Sequence, residues 1–214
     1  DLARTIATEM GLSGNAIDGI RTAAMIHDLG KISVPSEILT KPAKLTDLEF
    51  SLIKTHAWSG YDIIKDIDFP WPVARMILEH HERMDGSGYP SGINGSQIDE
   101  LAKVIMVVDI FDAMTSNRSY RQSRTVFDAM EEILKESYFE KLEPQIAVTF
   151  INRMADHFIG LKVRLSDGAS GRVIQIDRHT PHRPLVWTND RLVDLRGHKN
   201  IKIEKVMVSD SEDE

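Results

Sequence analysis

The chain has 214 residues, a formal net charge of −7, 42% hydrophobic and 28% charged residues, and no cysteine. That length supports one good-sized domain or one domain with a small appendage, and the missing thiols exclude disulfides, thiolate metal sites and cysteine nucleophiles. The acidic balance argues against a broad nucleic-acid-binding face, though not against one small anion held by a few Arg and Lys.

The longest apolar run, near Val104 to Val108, is far too short to cross a bilayer. No signal peptide is visible, which agrees with a cytoplasmic protein. The chain starts at Asp1, without methionine, inside a helical pattern of Leu2, Ala3, Ile6, Ala7 and Met10 that Gly11 stops. It therefore reads as a piece of a longer protein.

A second helix is predicted over Ala16–Ile26, running into His27-Asp28-Leu29-Gly30-Lys31. An ionisable pair following an apolar helix must find partners, because unpaired charge in an apolar setting costs several kcal/mol, on the order of a lost hydrogen bond or more. Two readings are open: a helix end capped by its own polar groups, or a metal-binding His-Asp whose carboxylate is free to bridge two ions. Pro35 to Leu39 reads as a short helical turn. Thr46-Asp47-Leu48-Glu49 has the form of a capping box, with one helix expected to run on to about Lys65 and an apolar side of Leu48, Leu52, Ile53, Ile63 and Ile64. His56 falls in its middle, as a satisfied core residue or as a ligand. Pro70 and Pro72 start the next helix, which carries apolar residues up to His80-His81.

An acidic, glycine-rich loop follows at once: Glu82-Arg83-Met84-Asp85-Gly86-Ser87-Gly88-Tyr89-Pro90. Neighbouring imidazoles at a helix end can point into one cavity, and neutral imidazole is the commonest protein ligand for transition metals. A surface or hydrogen-bonded core pair would look the same. Ile98 to about Ser116 is a strongly apolar helix holding Asp109, whose carboxyl would be desolvated unless a cation pairs with it. Asp109 is therefore expected to face a cation, with Asp112 close to the same face. Arg118 and Arg121 suit phosphate by their planar forks, or stand solvated on the surface.

Helices are expected at Thr125–Glu136 and Pro144–His157, with apolar faces suited to bundle packing. From Phe158 the texture changes to short alternating runs, at Leu161–Leu165, Arg172–Ile176, Leu185–Thr188, Arg191–Leu195 and Ile201–Val206, with turns at Asp167-Gly168 and Asn189-Asp190. The expected organisation is a helical bundle over 1–157, a small antiparallel β appendage over 158–208 and an acidic, disordered tail over 209–214.

His27, Asp28, Lys31, His56, His80, His81 and Asp109 are the ionisable residues that resist a bland reading. Imidazole plus carboxylate without sulfur fits iron, manganese, zinc or nickel better than calcium or magnesium. A carboxylate able to bridge, with several histidines, suits a two-metal site that lowers the pKa of a bound water and holds a phosphodiester for in-line attack. Lys31 is placed to offset charge developing on the phosphate.

These motifs, taken in order, resemble the HD-GYP phosphodiesterases, a branch of the HD metal-dependent phosphohydrolases. The matching residues are His27 to Lys31, His56 with Gly60, His80-His81-Glu82-Arg83 through Gly88-Tyr89-Pro90, and Val108 to Ser116 with Arg118, Tyr120 and Arg121. The resemblance covers roughly residues 1 to 157. It implies an HD-type, mainly α bundle with two or three divalent metal ions, iron or manganese first and zinc or nickel as alternatives. It implies hydrolysis of the bacterial second messenger cyclic di-GMP to the linear dinucleotide or GMP.

Carried over residue by residue, the metal ligands are His27, Asp28, His56, His80, His81 and Asp109, with Asp28 the bridge. Lys31 and Asp112 stand beside the metals, contacting phosphate or orienting water, and Arg118 and Arg121 bind phosphate or nucleotide. Gly88, Tyr89 and Pro90 shape the site and contact partners such as a GGDEF-type or adaptor protein. The resemblance further implies an upstream regulatory domain and a possible homodimer, without a nucleic-acid polymer or a membrane span. Met84 and Ser119 depart from the family's usual aromatic and proline residues. The family also places a histidine ligand, sometimes with a glutamate, upstream of where this chain begins. Two alternatives stand beside the enzyme: a catalytically silent cyclic dinucleotide-binding or partner-binding module, and an HD phosphohydrolase for a hybrid cyclic dinucleotide or a mononucleotide.

Overall fold

A computed structural model of the chain describes residues 2–69, 71–116 and 124–207. Arg118, Arg121, Ser119, Pro70 and the acidic segment 209–214, all named above, lie outside the described residues.

The helices are α1 (Leu2–Glu9), α2 (Gly14–Ile26), α3 (Ser36–Leu39), α4 (Asp47–Lys54), α5 (His56–Ile64), α6 (Val73–Glu79), α7 (Glu100–Thr115), α8 (Val126–Tyr138) and α9 (Pro144–Phe158), with a 3₁₀ turn at Leu29–Ser33 between α2 and α3. Helix α7 is the centre of the bundle. Leu101, Ala102, Val104, Ile105, Met106, Val107 and Phe111 are all buried on it, so it is apolar nearly all round, as a helix wrapped by others must be. Helices α1, α2, α6, α8 and α9 pack against it, and Phe111 meets Phe150 of α9 edge to face at 5.1 Å.

Thr46 and Glu49 form the expected capping box at the start of α4. The single helix expected from there to Lys65 is, however, two helices. The chain breaks at Thr55, whose hydroxyl donates to the Leu52 carbonyl, while the next ring, His56, takes the Ile53 carbonyl. Side chains that bond nearby backbone in this way compete with the helical ladder. His56 therefore opens α5 rather than lying mid-helix. The expected apolar side of α4 also fails to reach the core: Leu48 and Leu52 are exposed, as is Ile63 on α5, and only Ile64 of that set is buried.

Beyond α9 come β1 (Lys162–Leu165), β2 (Ser170–Gln175), β3 (Leu185–Thr188), β4 (Leu192–Asp194) and β5 (Ile203–Met207), one antiparallel sheet in the order β4-β3-β2-β1-β5. All five expected strands are present. Gly168 takes the left-handed φ of +88° that the Asp167-Gly168 turn requires. Val163, Val173, Val186 and Val193 point inward, and with Phe158 they join the same hydrophobic cluster as the bundle. The sheet is an extension of that core.

One close approach sets the site. The 3₁₀ turn lies against α5, where Gly30 meets Gly60. A Cβ built on Gly30 would stand 2.0 Å from the His56 carbonyl oxygen and 2.4 Å from the Gly60 nitrogen. Only glycine lets these two backbones touch, and their contact brings Asp28 to His56.

Candidate metal centre

Four chain segments deliver the site. His27 caps the C-terminus of α2, Asp28 precedes the 3₁₀ turn, His56 opens α5, His80 caps α6 with His81 next to it, and Asp109 projects from α7. One ligand atom from each of Asp28, His56, His80 and His81 lies within 4.8 Å of all the others. His27 Nε2 is 3.4 Å from Asp28 Oδ2 and 3.5 Å from Asp109 Oδ1; His56 Nε2 is 3.6 Å from Asp28 Oδ1, and His81 Nδ1 is 3.7 Å from Asp109 Oδ2. All six residues singled out as ligands thus converge.

Three of the rings share one device. The Nδ1 atoms of His27, His56 and His80 sit 2.9, 2.6 and 2.6 Å from the carbonyls of Ala24, Ile53 and Ile77, each three residues back. Donation to those carbonyls assigns a proton to Nδ1; it leaves Nε2 of His56 and His80 with a lone pair aimed inward, whereas Nε2 of His27 donates to Asp109. The lone pairs of His56 and His80 then face each other across 3.4 Å, on residues that are both 0% exposed. Two acceptors this close, with no donor between them, call for a cation. Asp28 Oδ1 is likewise buried and has no hydrogen-bond partner. This donor set, imidazole and carboxylate with no sulfur, fits a divalent transition metal. The carbonyls of Ala24, Ile53 and Ile77 hold the rings as metal-bound histidines are usually held.

Electrostatics agree. Burial, reinforced by the neighbouring His27 charge, pushes the His80 imidazole down to about 4, and burial together with His80 pushes His81 down to about 2. Burial lowers His56 as well. His27 goes the other way: burial opposes its charge, but the Asp109 hydrogen bond and the Asp28 charge outweigh it and raise the ring. Burial works to raise the Asp109 carboxyl, yet His27 and the other nearby rings hold it below the usual carboxylate range.

A stability prediction follows for the metal-free chain. His80 is neutral when folded and has an ordinary pKa of 6.5 when unfolded, so between 6.5 and about 4 only the unfolded state takes up its proton. The stability present above that window is lost as pH falls through it, by about 3 kcal/mol for this group alone. Asp109 extends the loss at lower pH, while the raised His27 contributes in the opposite sense, its share disappearing as pH rises past its folded pKa. Urea unfolding of chelator-treated protein on either side of the window checks the sign. A flat profile would contradict it.

The remaining predicted residues are placed as follows. Lys31 Nζ lies 2.5 Å from Asp28 Oδ2, paired with the carboxylate expected to bridge, at the half-exposed rim of the site. Asp112 is exposed one turn beyond Asp109, and both line a cavity of about 420 Å³ together with His27, Arg21 and Met25. Tyr89 stacks on His81 with ring centroids 4.6 Å apart, and a second cavity of about 310 Å³ opens there between Lys54, Arg83, Tyr89, Glu136 and Lys141. The Tyr89-Pro90 peptide bond is cis.

Sequence reasoning assigned no role to Glu82 and Glu79, which are buried. Glu82 accepts from the Ser91 backbone at 2.7 Å, tying the glycine loop back to the end of α6; Glu79 does the same for Asp99 at 2.6 Å. Their signal was faint: carboxylates flanking a His-His pair, with nothing to tell a ligand from an anchor. Glu82→Ala is expected to cost about 1–3 kcal/mol and to open the loop of residues 83–93 to protease. Undiminished protection of that loop would rule the anchor out.

A helical bundle that gathers His-Asp, His and His-His from separate helix ends around an Asp from inside α7 defines a metal-binding class, and the chain belongs to the HD-domain family, which it matches over residues 1–146. Among its relatives, a cyclic di-GMP phosphodiesterase of Pseudomonas aeruginosa is 34% identical over 171 residues, 79% of this chain and 41% of the relative. A cyclic di-GMP phosphodiesterase of Thermotoga maritima is 40% identical over 153 residues, 70% of this chain and 41% of the relative. A 3'3'-cGAMP-specific phosphodiesterase of Vibrio cholerae is 35% identical over 140 residues, 65% of this chain and 30% of the relative. The chain spans less than half the length of each of these proteins.

Proposed function

We propose that this chain is the catalytic part of a metal-dependent phosphodiesterase that hydrolyses cyclic di-GMP, working in the cytoplasm. The observation that carries the reading is the convergence of six imidazole and carboxylate side chains, His56 and His80 fully buried among them, with the lone pairs of those two rings and Asp28 Oδ1 left for a cation. His27, Asp28, His56, His80, His81 and Asp109 would hold two or three divalent ions, iron or manganese first. Such ions, when bound, supply an activated water and charge stabilisation at the phosphate. The rest falls to the chain. Asp28, with one oxygen near His27 and the other near His56, would be the carboxylate that the two ions share. Lys31 carries a fixed positive charge at the rim, where it offsets charge on a phosphodiester as water oxygen bonds to phosphorus and the ester oxygen leaves. Asp112, on the cavity wall beside Asp109, orients that water. Tyr89 closes the His81 side of the site. Arg118 and Arg121, outside the described residues, take the phosphate-binding role that the family resemblance gives them.

The relatives support the class of substrate and leave two purine pairs in view, since both cyclic di-GMP and 3'3'-cGAMP appear in their names. The test is hydrolysis of each dinucleotide by the chain reconstituted anaerobically with ferrous or manganous ion, with products separated by chromatography and bound metal counted. Linear product from cyclic di-GMP, with two or more ions per chain, supports the reading. Faster turnover of 3'3'-cGAMP moves the substrate to the hybrid. Tight nucleotide binding by a fully metal-loaded chain without any product means a silent binding module.

A further inference from the structure

The β sheet differs in charge from the bundle that carries it. Residues 158–207 hold ten Lys and Arg against five Asp and Glu, in a chain whose net charge is −7. The register sorts these charges by face. With the valines turned inward, the outward row runs straight across all five strands: Met207, Lys162, Arg172, Trp187 and Leu192 are successive cross-strand partners. Two residues along β1, Arg164 stands opposite Lys205 on one side and Ser170 on the other. Two like-charged pairs, Lys162 with Arg172 and Arg164 with Lys205, thus occupy directly facing positions, an arrangement that destabilises a sheet unless an anion offsets it. At the β3–β4 end of the row, next to Arg172, Trp187 is 51% exposed and Leu192 50%, with Asp194 two residues along β4 from Leu192. The Arg172 guanidinium also donates to the Gly160 carbonyl, and Glu204 is the acidic neighbour of Lys205.

We propose that this outer sheet face is a docking surface for an anionic bilayer. Lys162, Arg164, Arg172 and Lys205 meet lipid phosphates, and Trp187 with Leu192 enters the headgroup layer. The chemistry on the face selects this occupant. Cations attract the negative leaflet, and tryptophan beside basic residues is the composition of interfacial anchors. A single-stranded nucleic acid asks for several stacking rings in series, whereas among the described residues Trp187 is the one aromatic side chain on this face, Phe158 being buried. The acidity of the bundle does not cancel the attraction, because charges more than about 8 Å away are screened at physiological salt. No helix among the described residues is long and apolar enough to cross a membrane, which makes this a peripheral contact.

Flotation of the full chain with phosphatidylcholine vesicles, with and without phosphatidylglycerol, tests the proposal. The chain is expected to float only with the anionic vesicles and to be released by added salt. R164E combined with K205E is expected to cut the bound fraction about tenfold or more, and Trp187→Ala to cut it as well, while both variants keep the parent's circular dichroism. If the charge reversal fails to fold, Trp187→Ala and the salt titration decide. Equal flotation with neutral vesicles, no flotation, or a double variant that floats like the parent overturns the proposal. A chain that stays behind the vesicles yet binds an oligothymidylate through Arg164 and Lys205 overturns it in favour of nucleic acid.

Discussion

Asp28→Asn is expected to leave a folded chain that holds fewer than two metal ions and to slow the proposed hydrolysis of cyclic di-GMP at least about a hundredfold. Removing even the outer-shell partner of a ligand usually costs 10–100-fold. The change here strikes a carboxylate that touches His27, His56 and Lys31 at once. The amide is isosteric but carries no charge and cannot bridge two cations. Because Asp28 is partly exposed, little packing is lost. His80→Ala hits the same centre less cleanly. His80 is fully buried and tied to Ile77, and truncating a buried ring of that size costs about 2–3 kcal/mol or more. Activity lost in that variant mixes metal loss with loosening of α6. Metal counting and melting curves on both separate the effects, and an Asp28→Asn chain with full metal content and normal turnover would end the two-metal reading.

The second large effect is expected at a residue that touches neither metal nor substrate. Gly30→Ala places a methyl group 2.0 Å from the His56 carbonyl and 2.4 Å from the Gly60 nitrogen. Both are backbone atoms and cannot swing away, so the 3₁₀ turn must lift off α5 and take Asp28 with it. Overpacking of this kind costs about 3 kcal/mol or more, and the variant is expected to melt well below the parent and lose its metal together with its activity. A Gly30→Ala chain with the parent's melting temperature and metal content would show that the contact does not hold the site together.

Much of the site was legible because chemistry-bearing residues interrupt apolar patterns. Asp109 amid Val and Ile, and His27-Asp28 at the end of an apolar helix, announce buried polar groups that need partners, and the structure supplies those partners. The sheet was legible for a similar reason: inward valines alternate with outward charge, and Asp167-Gly168 fixes a turn. The break at Thr55 was not legible. It arises from two side chains capturing the Leu52 and Ile53 carbonyls, and such local bonds leave no mark on hydrophobic spacing. The same spacing put Leu48 and Leu52 on a core face, because periodicity tells which side of a helix is apolar and not whether anything lies against it. Glu82 and Gly30 escaped because their importance depends on what the fold brings near them.

The tethering of His27, His56 and His80 through Nδ1 to carbonyls three residues back has a bearing on selectivity. A ring held in that way cannot pivot to suit a larger or smaller ion. Ion preference is therefore governed by the spacing between helix ends. A substitution in the core that shifts α6 against the 3₁₀ turn, without touching any ligand, would retune which metal the centre takes.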